Sequence, residues 1–506
     1  TKGNGTRLDY NVDLSANYSK LFGKHLLFAN AQWSISQKKS EMVYFQAQGF
    51  ANNKMDYITN AKEYVSGSPY GDESVVRETS VLASVNYSYD DRYLLDATYR
   101  ANASSLFGAD KRWGSFWSAG IGWNIHREGF MSDVDWINRL KIRASVGETG
   151  SNNFSSYEAM ATYAYSLSDR YYNWMGANMK ALANPDLEWQ KTMKYNAGIE
   201  VNMLNNRLSM ICDLYLERTN GLMSSLELPP SNGFSSYKAN IGKLENKGFE
   251  LKVTGYLLRD TERELIWSVT GSLVRNKDKI IELSEAMKEA NATLLETGGA
   301  TPNKIWQEGD SQNAIYAVRS LGIDPSNGRE LFLKKNGEVT YTWDANDRVF
   351  CGVDQPDYRG NINTMFMWKD LSVNLSFGYE WGGQQYNSTL ISRVENADKK
   401  YNVDRRVYED RWKEPGDRTF FKGINETTAT QATSRFVQDE ATFTCQNLNV
   451  TYDLKGNKWL KRNLGIQTLT LKGDIADLFR ISTIKQERGT SYPFSRQFSF
   501  TLSAMF

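Results

Sequence analysis

The chain has 506 residues, a net charge of +1, an aromatic content of 13% and only 9 prolines. The balanced charge leaves no electrostatic footprint for nucleic acid. Mean hydropathy is −0.56, and no apolar run approaches the roughly 18 residues that a spanning helix needs, which excludes a helical membrane protein.

Scarce proline with abundant Tyr, Trp and Phe favours long uninterrupted strands. Read in chain order, segments of two-residue periodicity fall at 8–18, 27–35, 81–89, 93–101, 113–125, 140–146, 193–203, 208–216, 249–257, 265–275, 358–368, 371–381, 448–452 (beginning near 441), 469–475 and 498–506. The segment 371–381 is typical. Leu371, Val373, Leu375, Phe377, Tyr379 and Trp381 alternate with Ser372, Asn374, Ser376, Gly378 and Glu380, which makes a strand with one apolar and one polar face. Most segments are about ten residues long, the length a tilted strand needs to cross a bilayer. Aromatics such as Trp113, Trp123, Tyr379 and Trp381 sit near segment ends, where they reach lipid headgroups. The pattern predicts an all-β, antiparallel, up-and-down transmembrane barrel of about 15 strands.

The connections alternate between short and long. The long ones are expected at about 37–75, 101–112, 149–190, 218–245, 276–357, 385–440 and 478–495, with one inversion, since the turn at 126–138 outruns the loop at 102–111. Outer-membrane barrels keep short turns in the periplasm and long loops outside, so the last strand descends and Phe506 reaches the periplasmic face. By the same alternation the first strand also descends. A closed antiparallel barrel needs an even strand number, so the fifteen are expected to be the C-terminal part of a larger barrel, residues 1–506 forming one barrel portion. Nothing at the N-terminus reads as a signal peptide.

Cys212, Cys351 and Cys445 have no metal-ligand spacing and read as small apolar residues. His25 and His126 are too few for a histidine-based metal site. No phosphate-binding loop, nucleophile elbow or base-nucleophile pair is present, so the chain reads as a non-enzyme without a cofactor. "DPSNG" at 324–328 reads as a turn rather than a calcium loop, and "RWKEPGD" at 411–417 as a helix that ends before Pro415. In "DRYYNWMG" at 169–176, Tyr171, Tyr172 and Trp174 cluster in an expected external loop. Aromatic faces there suit sugar rings, peptide side chains or a protein lid, against the commoner alternative of burial within the loop. Polar strand residues such as Asp96, Arg100, Lys141, Arg143, Glu200, Asp213, Glu217, Glu250, Asn374 and Glu380 are expected to face the lumen.

"DDRYLLDATYRANASSLFGADKRWGSFWSAGIGWNI" (90–125), "WINRLKIRASVGETG" (136–150), "ANPDLEWQKT" (183–192), "GFSSYKANIGKLENKGFEL" (233–251), "GIDPSNGRELF" (322–332), "RWKEPGD" and "GTSYPFSRQFSFTLSAMF" (489–506) occur in this order along the chain. Together they resemble SusC/RagA-like TonB-dependent transporters of Bacteroidetes outer membranes. One departure is Asp477-Leu478-Phe479, where the family usually has Asn-Leu-Phe; it is expected to affect one local turn. The resemblance implies a 22-stranded barrel, of which these are the last fifteen strands; no TonB box, plug domain or early strands are found. It further implies TonB-dependent active import of a glycan or peptide, with a SusD-like lipoprotein lid on the long loops and the TonB complex acting through the plug. Tyr171, Tyr172, Trp174, Asn374 and Glu380 are the candidate substrate-binding residues. Phe506 resembles the aromatic signal read by the barrel-assembly machinery. The alternatives are a passive porin, whose sixteenth strand would be "NAIYAVRS" (313–320), and a surface adhesion scaffold.

Overall fold

The computed structural model describes residues 2–52, 54, 56–65, 69–108, 110–152, 156–172, 174–228, 231, 233–234, 236–240, 242–398, 400–455, 458–485 and 496–506, without the side chains of 166–171, 224 and 226–227. Fifteen long strands form one sheet: β1 (Lys2–Phe22), β2 (His25–Phe45), β3 (Tyr70–Tyr89), β4 (Tyr93–Ser104), β5 (Trp113–Asn124), β6 (Ile137–Ser151), β7 (Gln190–Met203), β8 (Leu208–Asn220), β9 (Gly242–Asp260), β10 (Leu265–Leu283), β11 (Tyr358–Trp368), β12 (Leu371–Tyr386), β13 (Val437–Lys455), β14 (Thr468–Ser482) and β15 (Gln497–Met505). Their order in the sheet is their order in the chain. Neighbours are antiparallel from β1 to β5 and from β10 to β15. Each predicted segment falls in one of these strands, with only Ile125 and Phe506 lying one residue past a strand end. By compactness the chain divides into two units, residues 1–123, 143–195 and 217–243 in the first and 124–142, 196–216 and 244–506 in the second.

The solvent of the sheet follows from its faces. On β1, Leu8, Val12 and Leu14 are exposed, as are Leu95 and Tyr99 on β4 and Trp113, Trp117 and Ile121 on β5, with Ile121 at 60%. Residues between them, such as Asp9, Asn11 and Asp13, are polar. A water-soluble sheet would have to bury so continuous an apolar face. Lipid is its solvent instead, and a strand ladder satisfies the backbone N–H and C=O groups that lipid cannot. No helix among the described residues is long and apolar enough to cross a membrane.

The strands outrun the apolar alternation on the loop side. Residues 36–41, Ser-Gln-Lys-Lys-Ser-Glu, are polar on both faces yet remain paired with 73–78, with Lys39 ion-paired to Glu41 and, at 3.5 Å, to Glu73. The loop expected at about 37–75 therefore narrows to 46–69, that at 276–357 to 284–357, and that at 385–440 to 387–436. Alternation marks the edge of the lipid, whereas hydrogen bonding continues into water.

The tight turns use left-handed backbone. Asp90 and Asp91 have φ of 52° and 55°, a primed turn that matches strand twist. Within the sheet, β13 carries an extra residue at Gln446 relative to β12, and β14 one at Asp477 relative to β13. The Asp477-Leu478-Phe479 departure is thus a β-bulge inside β14 rather than a turn. Asp477 has φ of 51°, a conformation that Asp and Asn share.

Close strand packing depends on glycine at one position in particular. A Cβ on Gly360 of β11 would lie 1.9 Å from the Ser272 carbonyl oxygen and 2.6 Å from Tyr379 Oη, where the Tyr379 hydroxyl donates to that same carbonyl at 2.6 Å. Gly360→Ala is expected to destabilise the sheet by about 1–3 kcal/mol, the range for overpacking. The check is a lower denaturation midpoint in detergent, read by the heat-modifiable gel mobility of folded barrels.

Candidate functional site

Three places carry the side chains that can meet a ligand or partner. The first is a hairpin in the connection between β6 and β7, with strands Thr162–Tyr171 and Trp174–Ala181. Tyr172, at the turn with φ of 55°, is 84% exposed, and Trp174 is 80% exposed; Tyr163, Tyr165 and Met175 are exposed as well. The alternative of burial within the loop does not hold for Tyr172 and Trp174. The side chain of Tyr171 lies outside the described residues. A hairpin bearing this many uncovered aromatics is suited to a partner surface, because large rigid rings bury much area at little conformational cost.

The second is the polar face of β10–β13. Asn374 lines a groove of about 340 Å³ with Ser268, Thr270, Asn363, Asn447 and Asn449. Glu380 lines another of about 260 Å³ with Ser272, Arg359, Asn361, Thr442 and Gln446. The two candidates therefore lie in separate grooves of one wall. The bulge at Gln446 sets Gln446 and Asn447 in consecutive positions along these grooves. The wall is rich in amides and hydroxyls, which hydrogen-bond equally to sugar hydroxyls, peptide groups or the backbone of a protein filling the lumen.

The third place lies in two of the connections expected to be long, from which no candidate substrate-binding residue had been drawn. The connections 284–357 and 387–436 fold together above β10–β13. A helix, α1 (Glu285–Glu296), begins at Ser284, whose side chain accepts from the Met287 amide. It ends where Arg348 donates to the carbonyls of Leu294, at 2.9 Å, and of Leu295 and Thr297. A four-stranded sheet orders Val339–Thr340, Glu330–Leu333, Ala314–Ile323 and Arg348–Val353. It absorbs residues 313–320, the stretch a sixteen-stranded porin would need as its extra barrel strand. That expectation is corrected: Ala314 to Val318 are buried and pair with residues of Arg348–Val353 rather than with a barrel strand. Leu390, Ile391, Val394, Val407, Phe421 and Phe436 form a core.

Beside that core, the Arg435 guanidinium bonds to Glu330 and to Glu395, each at 2.7 Å, with side chains 4%, 5% and 0% exposed. Burial works against the Arg435 charge, but the two carboxylates outweigh it and hold its pKa above the ordinary value. Arg411 donates to the carbonyls of Val394, Glu395 and Lys422. "RWKEPGD" is consequently extended at its start, the preceding helix ending at Glu409 and Arg411 bridging to Phe421. The helix expected before Pro415 is absent because Arg411 is drawn into the core. "DPSNG" is the expected turn, closed by the Gly328 amide on the Asp324 carbonyl at 2.8 Å.

A family profile described as TonB dependent receptor-like, beta-barrel matches residues 1–293, more than half of the chain. The chain belongs to that family. This TonB-dependent receptor barrel is 26% identical to TonB-dependent receptor P39 of Formosa agariphila, over 94% of the chain and 49% of the relative. It is 29% identical to TonB-dependent receptor SusC of Bacteroides thetaiotaomicron, over 62% of the chain and 32% of the relative. Its fold matches the RagAB peptide transporter with a TM-score of 0.86 at 22% identity, covering 99% of this chain and 56% of that one. The chain spans about half the length, or less, of the curated relatives it matches. Membership identifies the solvent of the apolar face as the outer membrane of a Gram-negative bacterium, and the family is one of receptors and transporters rather than enzymes.

The Arg435 cluster gives a direct test of how the two long connections are held. Arg435→Met leaves two buried carboxylates without their partner, a change that costs about 3–5 kcal/mol for a buried pair. Faster proteolysis within 284–357 and 387–436, with the barrel itself still heat-modifiable, is the expected outcome.

Proposed function

We propose that this chain is the barrel portion of an importer that moves a nutrient, an oligosaccharide or a peptide, across the outer membrane. A plug inside the complete barrel would be pulled by the TonB complex, so that the proton-motive force supplies the work. A SusD-like lipoprotein would close over the external loops. The similarity to TonB-dependent receptors along most of the chain, SusC among them, supports this reading most strongly. In this reading Tyr171, Tyr172 and Trp174 lie on the hairpin that meets the lid or the captured nutrient. Asn374 and Glu380 belong to the wall that faces the plug and the passing nutrient. Phe506 ends the strand read by the assembly machinery; it is 76% exposed and follows the last paired residue, Met505.

Uptake of labelled oligosaccharides or peptides by cells carrying the intact receptor should stop when a protonophore collapses the proton-motive force or when TonB is deleted. Uptake that persists under both conditions would favour a passive pore. The hairpin has its own readout: Tyr172→Ala with Trp174→Ala should reduce co-purification of the lipoprotein at least tenfold while the amount of folded barrel stays the same. Deleting Phe506 should do the reverse, lowering the amount of heat-modifiable protein in the outer membrane while the protein that does assemble still captures its partner.

A further inference from the structure

The connection between β13 and β14 differs in charge from the other short connections. Residues 455–467 include Lys455, Lys458, Lys461 and Arg462 and no Asp or Glu, although the whole chain is balanced at +1. The turns at 90–92, 261–264 and 369–370 each include a carboxylate. Lys455 pairs with Asp453 at 3.4 Å. Lys458, Lys461 and Arg462 make no ion pair among the described residues.

Within this connection a short helix, α2, spans Lys458–Leu464. At about 100° per residue, Trp459, Leu460 and Leu464 fall on one side of it and Lys458, Lys461 and Arg462 on the other. Leu460 is buried, while Trp459 and Leu464, which flank it on that side, are 63% and 51% exposed. The helix is held in this orientation from its C-terminal end. The Ile466 amide donates to the Leu460 carbonyl at 3.3 Å, and the Gln467 amide to the Met505 carbonyl at the end of β15, at 2.7 Å. The helix dipole accounts for only part of the charge. It favours Lys461 and Arg462 in the last turn, but it disfavours Lys458 at the first position.

This helix lies at the rim of the lipid-facing surface. Tyr452 and Leu454 on β13 lead into it and Leu469 and Leu471 on β14 lead away, all on the apolar faces of their strands. The Asp453 amide donates to the Asp370 carbonyl at 2.9 Å, which sets the connection beside the turn that follows Trp368, itself exposed at the end of β11. Aromatic residues at such a rim mark the level of the lipid headgroups. An exposed apolar side opposed to a basic side, at the edge of the hydrocarbon, is the pattern of a helix that lies in the plane of the interface.

We propose that α2 docks on anionic glycerophospholipid, with Trp459 and Leu464 among the upper acyl carbons and Lys458, Lys461 and Arg462 on the headgroup phosphates. Lipid is the occupant because the apolar side continues the lipid-facing residues of β13 and β14, and because cations set above an apolar side match a layer whose negative charge lies above its hydrocarbon. In the import reading this is the periplasmic leaflet; only the choice of leaflet rests on that reading.

The test uses the intact receptor in phosphatidylethanolamine vesicles that contain brominated-chain phosphatidylglycerol or, at the same mole fraction, brominated-chain phosphatidylethanolamine. Bromine on the chains quenches tryptophan, and the signal of Trp459 is the difference between the wild type and Trp459→Phe. Quenching of that signal should be stronger by about threefold or more with brominated phosphatidylglycerol, and added NaCl should reduce the excess. Lys458→Gln combined with Lys461→Gln and Arg462→Gln should abolish the preference while Trp459 remains quenched by both lipids. Heat-modifiable mobility checks that each variant is folded, and the comparison of the two lipids stands without the triple variant if that variant misfolds. Equal quenching by the two lipids, or a preference that survives the triple substitution, overturns the proposal. Trp459 left unquenched by both lipids overturns it as well, and leaves the helix in water for a protein partner. Both leaflets of the vesicle have the same composition, so the result does not depend on the direction of insertion. A failure here leaves the import reading standing, and loss of energised uptake leaves the lipid contact standing.

Discussion

Lipid offers no hydrogen bonds, and this constraint organises the rest of the structure. Every backbone N–H and C=O that enters the bilayer must find a partner in the next strand, so the chain crosses as a ladder in which each strand pairs with its neighbours in sequence. Two-residue alternation follows, because one face of each strand meets hydrocarbon and the other meets the lumen. The same constraint explains why the apolar clusters of the described residues lie outside the lipid-facing stretches. Leu106, Phe107, Phe116 and Trp189 pack in the first unit and the Phe436 core in the second, both at the loop ends of the strands. The membrane replaces a core for the strands, and the loops in water must build their own.

Within the loops that requirement changes the role of charge. The Glu330–Arg435–Glu395 group is far more buried than any other ion pair described. Groups of this kind add little net stability over a well-packed apolar core but penalise any arrangement that separates the partners. Here the partners come from residues 330, 395 and 435, so one guanidinium ties the two long connections 284–357 and 387–436 to each other. Arg411 and Lys422 are buried in the same region, and both are spent on backbone carbonyls.

The sheet was legible from its sequence to an unusual degree for a chain of this length. Leu371 to Trp381 can be read by eye because the period is two and the solvent on each side is different. What alternation could not mark was the end of pairing. Residues 36–41 continue β2 although they carry no apolar face, since the ladder needs only backbone groups. The Asp477 bulge was hidden for a related reason: one extra residue on a strand reverses the faces locally without leaving a compositional mark.

Strand number, strand order, the alternation of short and long connections and the family all follow from local pattern and motif in the sequence by itself. Those features are written in residues within ten or so positions of each other, where periodicity and turn chemistry act. Only the tertiary structure decided that Tyr172 and Trp174 stand exposed on a hairpin, that Asn374 and Glu380 occupy separate grooves, and that Glu330 and Glu395 share Arg435. Contacts of that kind join residues about a hundred positions apart. Their energies depend on burial and on which charge lies next to which, and no short stretch of sequence records either.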